Sequence, residues 1–461
     1  MKFCTSLIIS LVLGGTTVHA ATELTLDDCL KIALSESPTI QVADIEIKRT
    51  DYSRKDVLAQ LLPTVSFGAQ YNRTLAKQTM YMNLGSYPGM GDETEGGTTQ
   101  ESSSESKKND GIKMGLDNSY SVGFQASVPL IAPQLWASLK LSDAQILQSV
   151  EQARASRLDL INQVKDAYYA LLLAKDSKKV IQQSYDMAAL THDIYSKRFA
   201  LGDASDYDVL RTSVAMKNVE PELIQADIAI RQAHLQLMVL MGVDRDTDFD
   251  VAGQLSDYEK TMYEDVMSLP TDYSNNTSLV MNNLQNQTLE QALRVNKMAW
   301  YPTLALSANY NWTAMSNGSP FKNLRWSPYS TVGLTLSFPL FQGGSRYNAI
   351  KSSELQLMQN RLQRDNIERT VDMQVKLAKD NIHLNVKQIA TCSESVKQAD
   401  RAHTIMQESF NIGAASYLDL RDSELSLTRS RLSYFQAIYN YLVANSDLEY
   451  LLGSANTDIN K

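Results

Sequence analysis

Pro63 to Asn72 reads Pro-Thr-Val-Ser-Phe-Gly-Ala-Gln-Tyr-Asn, and Pro302 to Asn311 reads Pro-Thr-Leu-Ala-Leu-Ser-Ala-Asn-Tyr-Asn. A near-copy so far along one chain marks an internal repeat, and internal repeats decide folds. Working outward, Val128-Pro129-Leu130 returns as Phe338-Pro339-Leu340. Gly202 and Gly242 return as Gly413 and Gly453, with their spacing kept. The first repeat fills residues 21–242 and the second 272–453, with a connector over 243–271 and a tail over 454–461.

Each repeat lists the same parts. A helical stretch comes first, Pro38 to Leu62 and Thr277 to Tyr301. Two strands follow, predicted at about 63–75 and 118–130, then at about 302–313 and 329–340. Their residues alternate with period two, which puts one kind of side chain on each face. Val65, Phe67, Ala69 and Tyr71 oppose Ser66, Gly68, Gln70 and Asn72; Val332, Leu334, Leu336 and Phe338 oppose Thr331, Gly333, Thr335 and Ser337. Segments of about ten residues with one apolar face suit tilted membrane strands. Val65, Phe67, Tyr71, Val122, Phe124, Leu304, Leu306, Leu334 and Leu336 are therefore expected against lipid. Tyr310, Trp312, Trp326 and Tyr329 are expected near a membrane interface.

Very long helices come next, at about 134–201 and 345–412, each followed after a glycine turn by another at 205–241 and 416–452. Apolar steps of three and four run along them, as in Leu418, Leu425, Leu432, Phe435, Tyr439 and Leu442. A helix from Gln134 to Leu201 would be about 100 Å long. No globular core of this chain needs that length, whereas a periplasmic tunnel does. All eleven prolines precede Leu340, so the last quarter can be nearly all helix. Pro221 lies mid-helix, opposite Leu432 of the second repeat, and predicts a bend near Lys217. Residues 76–117 form a polar, acidic insertion suited to an extracellular loop, while the matching loop at 314–328 is short.

The first twenty residues read as an export leader: Lys2, the apolar run Leu7 to Leu13, and a small-residue cleavage site at Val18-His19-Ala20. The net charge of −9 becomes −10 once Lys2 leaves with the leader, which argues against a nucleic-acid partner. Cys29 and Cys392 remain, either unpaired or joined by a long-range disulfide. His192, His234, His383 and His403 fall on predicted helices, outside any H-E-x-x-H motif or nucleophile elbow. No enzyme, metal site or cofactor is expected.

Sheet edges cannot face lipid, and a closed barrel needs about eight strands, so four strands must close by oligomerisation. Two chains or three would serve. The repeat, the two strand-ending Pro-Leu motifs, Phe341-Gln342-Gly343-Gly344 and Gly413 to Leu420 (GAASYLDL) resemble the TolC family of outer-membrane efflux proteins. That resemblance covers nearly the whole mature chain. It implies a mixed fold: a homotrimer with a twelve-stranded membrane β-barrel, a twelve-helix periplasmic α-barrel, and an equatorial belt from 24–34, 243–271 and the tail. It implies a passive exit duct for efflux or type I secretion in the outer membrane. The partners it implies are a periplasmic adaptor (membrane fusion) protein and an inner-membrane pump of the resistance-nodulation-division, ABC or major facilitator type. The alternative is a periplasmic adaptor-like helical protein without a channel, but no lipoyl-like segments or inner-membrane tether are visible.

Gly202 and Gly413 are expected at the periplasmic tip turns. Ser205-x-x-Asp208 and Ser416-x-x-Asp419 read as capping boxes, which account for both aspartates without a pore. They leave Asp422 unexplained; Arg211 holds its place in the first repeat. By resemblance, Asp419 and Asp422 line the periplasmic constriction. The family's tyrosine and arginine locks match Phe410 and Ala415, which supply neither hydroxyl nor guanidinium, so Asp208 is expected to lack that lock partner.

Overall fold

A computed structural model describes residues 22–80, 112–244, 249–261, 271–321 and 324–454. The leader, most of the polar insertion at 76–117, parts of the connector and nearly all of the tail lie outside the described residues. The chain divides into two compact units, Met1–Tyr52 with Asp143–Glu290 and Leu355–Lys461, and Ser53–Ser142 with Gln291–Glu354.

The second unit holds four long strands, β2 (Thr64–Arg73), β5 (Asn118–Ile131), β7 (Thr303–Ser316) and β8 (Trp326–Ser337); β1 (Thr22–Leu24) and β6 (Phe249–Val251) belong to the other unit. A short ribbon, β3 (Gln78–Met80) with β4 (Ile112–Met114), extends the first hairpin. The sheet order is β2-β5-β7-β8, antiparallel throughout. Strict alternation fixes register, because a one-residue slip would exchange the faces. Val65, Ala126, Ala308 and Val332 thus form one cross-strand row, and Val128, Leu306 and Leu334 another. Ser66, Gln125, Asn309 and Thr331 line up on the opposite face. Tyr329 takes the other side of the sheet from Tyr310, Trp312 and Trp326. It pairs with Asn311, whose Nδ2 donates to its hydroxyl at 3.3 Å, so it stands on the polar face. Gly123 leaves the hole there, since a Cβ would come within 2.5 Å of the Tyr310 carbonyl oxygen. The two proline motifs also differ: Val128-Pro129-Leu130 lies in β5 with a register shift beside it, whereas Phe338-Pro339-Leu340 follows β8.

The first unit holds α1 (Leu26–Glu36), α4 (Asp206–Met241) and α7 (Tyr417–Leu452) whole and most of α2 (Pro38–Ala59), α3 (Pro133–Ala200), α5 (Thr277–Met298) and α6 (Ser345–Asn411). Ion pairs and hydrogen bonds give the lateral order α4-α3-α7-α6: Lys178 with Asp227, Arg431 with Gln183, and Arg431 with Asp400. Gln148 bonds Gln285 and Asn282 bonds Asn360, so α5 lies between α3 and α6. The end of α4 abuts the start of α2, and the end of α7 abuts the start of α5. Gly242 and Gly453 close those helices in the left-handed conformation. A Cβ on Gly453 would sit 2.2 Å from the Asn275 carbonyl oxygen, so only glycine fits. The α4 helix runs unbroken through Pro221.

The main core gathers Val164, Tyr168, Leu171, Leu237, Met241 and Ile438. The parallel pair of β1 and β6 and a 3-10 helix (Leu255–Thr261) belong to this unit, tied in where Tyr168 donates to the Ala252 carbonyl at 2.6 Å. Both cysteines are free; burial pushes the Cys29 thiol up to about 12. Among the described residues no helix is long and apolar enough to cross a membrane.

Candidate functional site

The two turns joining the long helices, α3 to α4 and α6 to α7, and the first turns of α4 and α7 carry the tip and pore residues that the sequence singles out. Gly202 (φ +81°) and Gly413 (φ +76°) take the left-handed conformation that ends a helix. The Gly202 N–H donates to Phe199 O at 2.9 Å, and Gly413 N–H to Phe410 O at 3.0 Å. Ala415, half-buried, donates its N–H to Ser409 O at 3.2 Å.

Each second helix then starts with a complete capping box. Asp208 N–H donates to Ser205 Oγ at 3.2 Å, and Ser205 N–H returns to Asp208 Oδ2 at 3.4 Å. Ser416 and Asp419 repeat this at 3.3 and 3.1 Å. The serine hydroxyls, donating at 2.7 Å, hold both carboxyls below the usual aspartate range. Further in, His192 Nδ1 lies 3.2 Å from Thr212 Oγ1, and His403 Nδ1 lies 3.2 Å from Ser423 Oγ. These matched pairs clamp α3 to α4 and α6 to α7; burial pushes the His403 pKa down.

The repeats then part. Arg211 stacks its guanidinium 4.6 Å over the Tyr417 ring and lies 3.6 Å from Asp208. Asp208 thus has Ser205 and Arg211 as its partners. Tyr417 is buried and meets Tyr195 edge-on at 5.7 Å, and Phe410 closes on Tyr195 at 6.3 Å. One turn along α7, Arg421 and Glu424 form a buried ion pair at 3.3 Å; burial raises the Glu424 pKa against the pull of Arg421. Asp422, at the place of Arg211, is exposed and has no hydrogen bond or ion pair with any described residue. Asp419 is exposed beside it, three residues back on the same helix.

Sequence reasoning missed Tyr195, Tyr417, Arg211 as a stacking partner, and the Arg421–Glu424 pair. The matching of His192 with His403 was readable from the repeat. The tip offers surface carboxylates and packed aromatics. Among the described residues no group of three or more His, Cys, Asp or Glu side chains could hold a metal ion.

A family model described as outer membrane efflux protein matches residues 29–243 and 273–454, one segment per repeat. The chain is 20% identical to the outer membrane protein TolC of Vibrio cholerae, over 72% of this chain and 76% of that protein. It is 23% identical to the cobalt-zinc-cadmium resistance protein CzcC of Cupriavidus metallidurans, over 68% and 73%. The crystal structure of the Campylobacter jejuni CmeC outer membrane channel superposes with a TM-score of 0.71 at 15% identity, covering 93% of this chain and 85% of that one.

Proposed function

We propose that this chain, which belongs to the outer membrane efflux protein family, closes as a homotrimer into a passive duct. As an efflux or secretion channel it resides in the outer membrane, with a large helical part in the periplasm. The observation that carries closure by further copies is the sheet with two free edges, and the family resemblance sets their number at three. In one chain β2 and β8 each pair on one side only. Their apolar faces are open, with Val65 71% and Val332 77% exposed. Unpaired backbone groups in lipid cost several kcal/mol each, so β2 must meet β8 of another copy. Three copies give twelve strands. The helices support the same closure: Leu210, Val214, Ile224, Ile228, Leu235 and Val239 form an exposed apolar stripe along α4, a helix at one flank of the lateral order. Covering that stripe with a neighbour's α6 would complete a twelve-helix tunnel.

The polar strand face, Ser66-Gln125-Asn309-Thr331 with its flanking rows, would line the wet lumen. Asp419 and Asp422 would bring six carboxylates to the periplasmic mouth of the trimer, favouring cations and holding multivalent ones. A periplasmic adaptor would dock on the helices, and an inner-membrane pump would supply the energy. Native mass spectrometry of the extracted protein tests the closure. A trimer mass that heating converts to monomer is expected; a dimer, giving eight strands, would overturn the twelve-stranded reading.

A further inference from the structure

Where β5 passes into α3 and α5 passes into β7, a cavity of about 190 Å³ opens between the two helices. Pro133, Trp136, Ala137, Lys140, Arg294 and Met298 line it. The helices run in opposite directions relative to the sheet, yet present the same order of chemistry. Trp136 and Met298 lie toward the strands. Lys140, four residues on along α3, and Arg294, four residues back along α5, lie one turn further away, about 6 Å along each axis. Ala137 is buried and small, which leaves room between the helices.

Both cations are exposed, and neither has a hydrogen bond or ion pair with a described residue. The second repeat differs at the matching place, where Lys351 is held by Glu354 at 2.8 Å. Two free cations beyond an apolar, aromatic strip call for an anion carrying an apolar tail. Tryptophan favours the membrane interface, and basic side chains there attract anionic headgroups.

We infer that this groove binds the phosphate headgroup of an anionic glycerophospholipid from the periplasm-facing leaflet. Lys140 and Arg294 hold the phosphate, and the acyl chain runs past Trp136 and Met298 toward the sheet. The inference rests on the reading that the sheet spans the outer membrane.

Native mass spectrometry of the full protein, offered equal phosphatidylglycerol and phosphatidylcholine, reads the site. Wild type should retain phosphatidylglycerol preferentially. K140Q/R294Q should lose it about five-fold per cation, roughly twenty-five-fold for the pair. K351Q should behave as wild type. Equal retention by the double variant, or no preference in wild type, overturns the inference. So does stripping of the lipid by millimolar inorganic phosphate, which would show a free-anion site. If the double variant fails to assemble, wild-type retention against rising salt replaces it; a flat response overturns the inference. Conductance is recorded in parallel. A normal pore without lipid preference defeats the lipid site alone, whereas no wild-type pore defeats the membrane reading beneath it.

Discussion

Gly202 and Gly413 turn the chain at the tips, while Gly242 and Gly453 turn it where α4 meets α2 and α7 meets α5. All four have positive φ. Around the tip glycines a Cβ would meet nothing within 4 Å; around the junction glycines it would strike backbone. Arg154 tightens the second junction, donating to Asn275 O at 2.8 Å while Glu151 grips the same guanidinium. Asn276 Nδ2 adds a bond to Leu451 O at 2.7 Å. The junctions are closed by backbone packing that admits no side chain. The tips are closed by side chains, which sequence can vary and which can let go.

Alanine at the glycines is the strongest way to break this contrast. Gly453→Ala pays the left-handed penalty and the overlap with Asn275, about 3 kcal/mol or more in all. Gly242→Ala should follow it, since Glu36 O and Pro38 Cδ stand at 2.8 and 2.9 Å from the built Cβ. Gly413→Ala and Gly202→Ala should cost roughly 1–2 kcal/mol, the conformational penalty alone. Thermal midpoints of the assembled protein check the order. Equal losses at tip and junction would dissolve the comparison.

Acidity should divide the regions next. Near the second junction, burial and then Asp447 raise the Asp166 carboxyl to about 7, with Lys165 opposing; one of its oxygens is buried without a partner. A folded-state pKa above the unfolded value, near 4, means stabilisation that is full below pH 4 and lost as pH rises through 7. Asp208 and Asp419 have the opposite sign. Their lowered carboxyls stabilise above pH 4, and that is lost as pH falls through their folded values. Asp166→Asn should therefore raise the thermal midpoint at pH 8 and leave it nearly unchanged at pH 4. An unaltered difference between those two pH values would remove Asp166 as the cause.

Capping is the next effect down. Ser205→Ala and Ser416→Ala should each cost about 1 kcal/mol, because each removes the acceptor for a free helix N–H and a hydroxyl donor to the aspartate. Hydrogen exchange at the first turns of α4 and α7 would read the loss locally. Protection unchanged in both variants would mean that the tips are held by the aromatic cluster alone.

The strands, long helices and caps were legible because their signals are local: alternation, periodicity, and Ser-x-x-Asp before an apolar run. The repeat supplied what propensity does not, namely that the parts occur in matching order. The parity of Tyr329, out of phase with Val332 and Leu334, sets it on the polar face. Arg211 over Tyr417, Tyr195 against Phe410, and Arg154 on Asn275 were not legible. Each joins elements distant in the chain, and only packing brings them together.

The smallest expected effect on stability is the most telling for function. Asp419 and Asp422 lie three residues apart on α7, so both project from neighbouring positions of one face. Yet Asp419 accepts bonds from Ser416, and Asp422 binds no described residue. An exposed carboxylate at the place where the other repeat uses an arginine for packing contributes nothing to the fold of one chain. Asp422→Ala should leave the thermal midpoint within about 0.5 kcal/mol of wild type. Asp419→Ala should lose about 1 kcal/mol with its capping box. In planar bilayers both variants should conduct with reduced cation selectivity and weaker block by multivalent cations, because in the proposed trimer each would remove three charges from the mouth. Asp419→Ala destabilised but with unchanged selectivity would confine that residue to capping. Unchanged selectivity in Asp422→Ala as well would take the constriction away from this turn altogether.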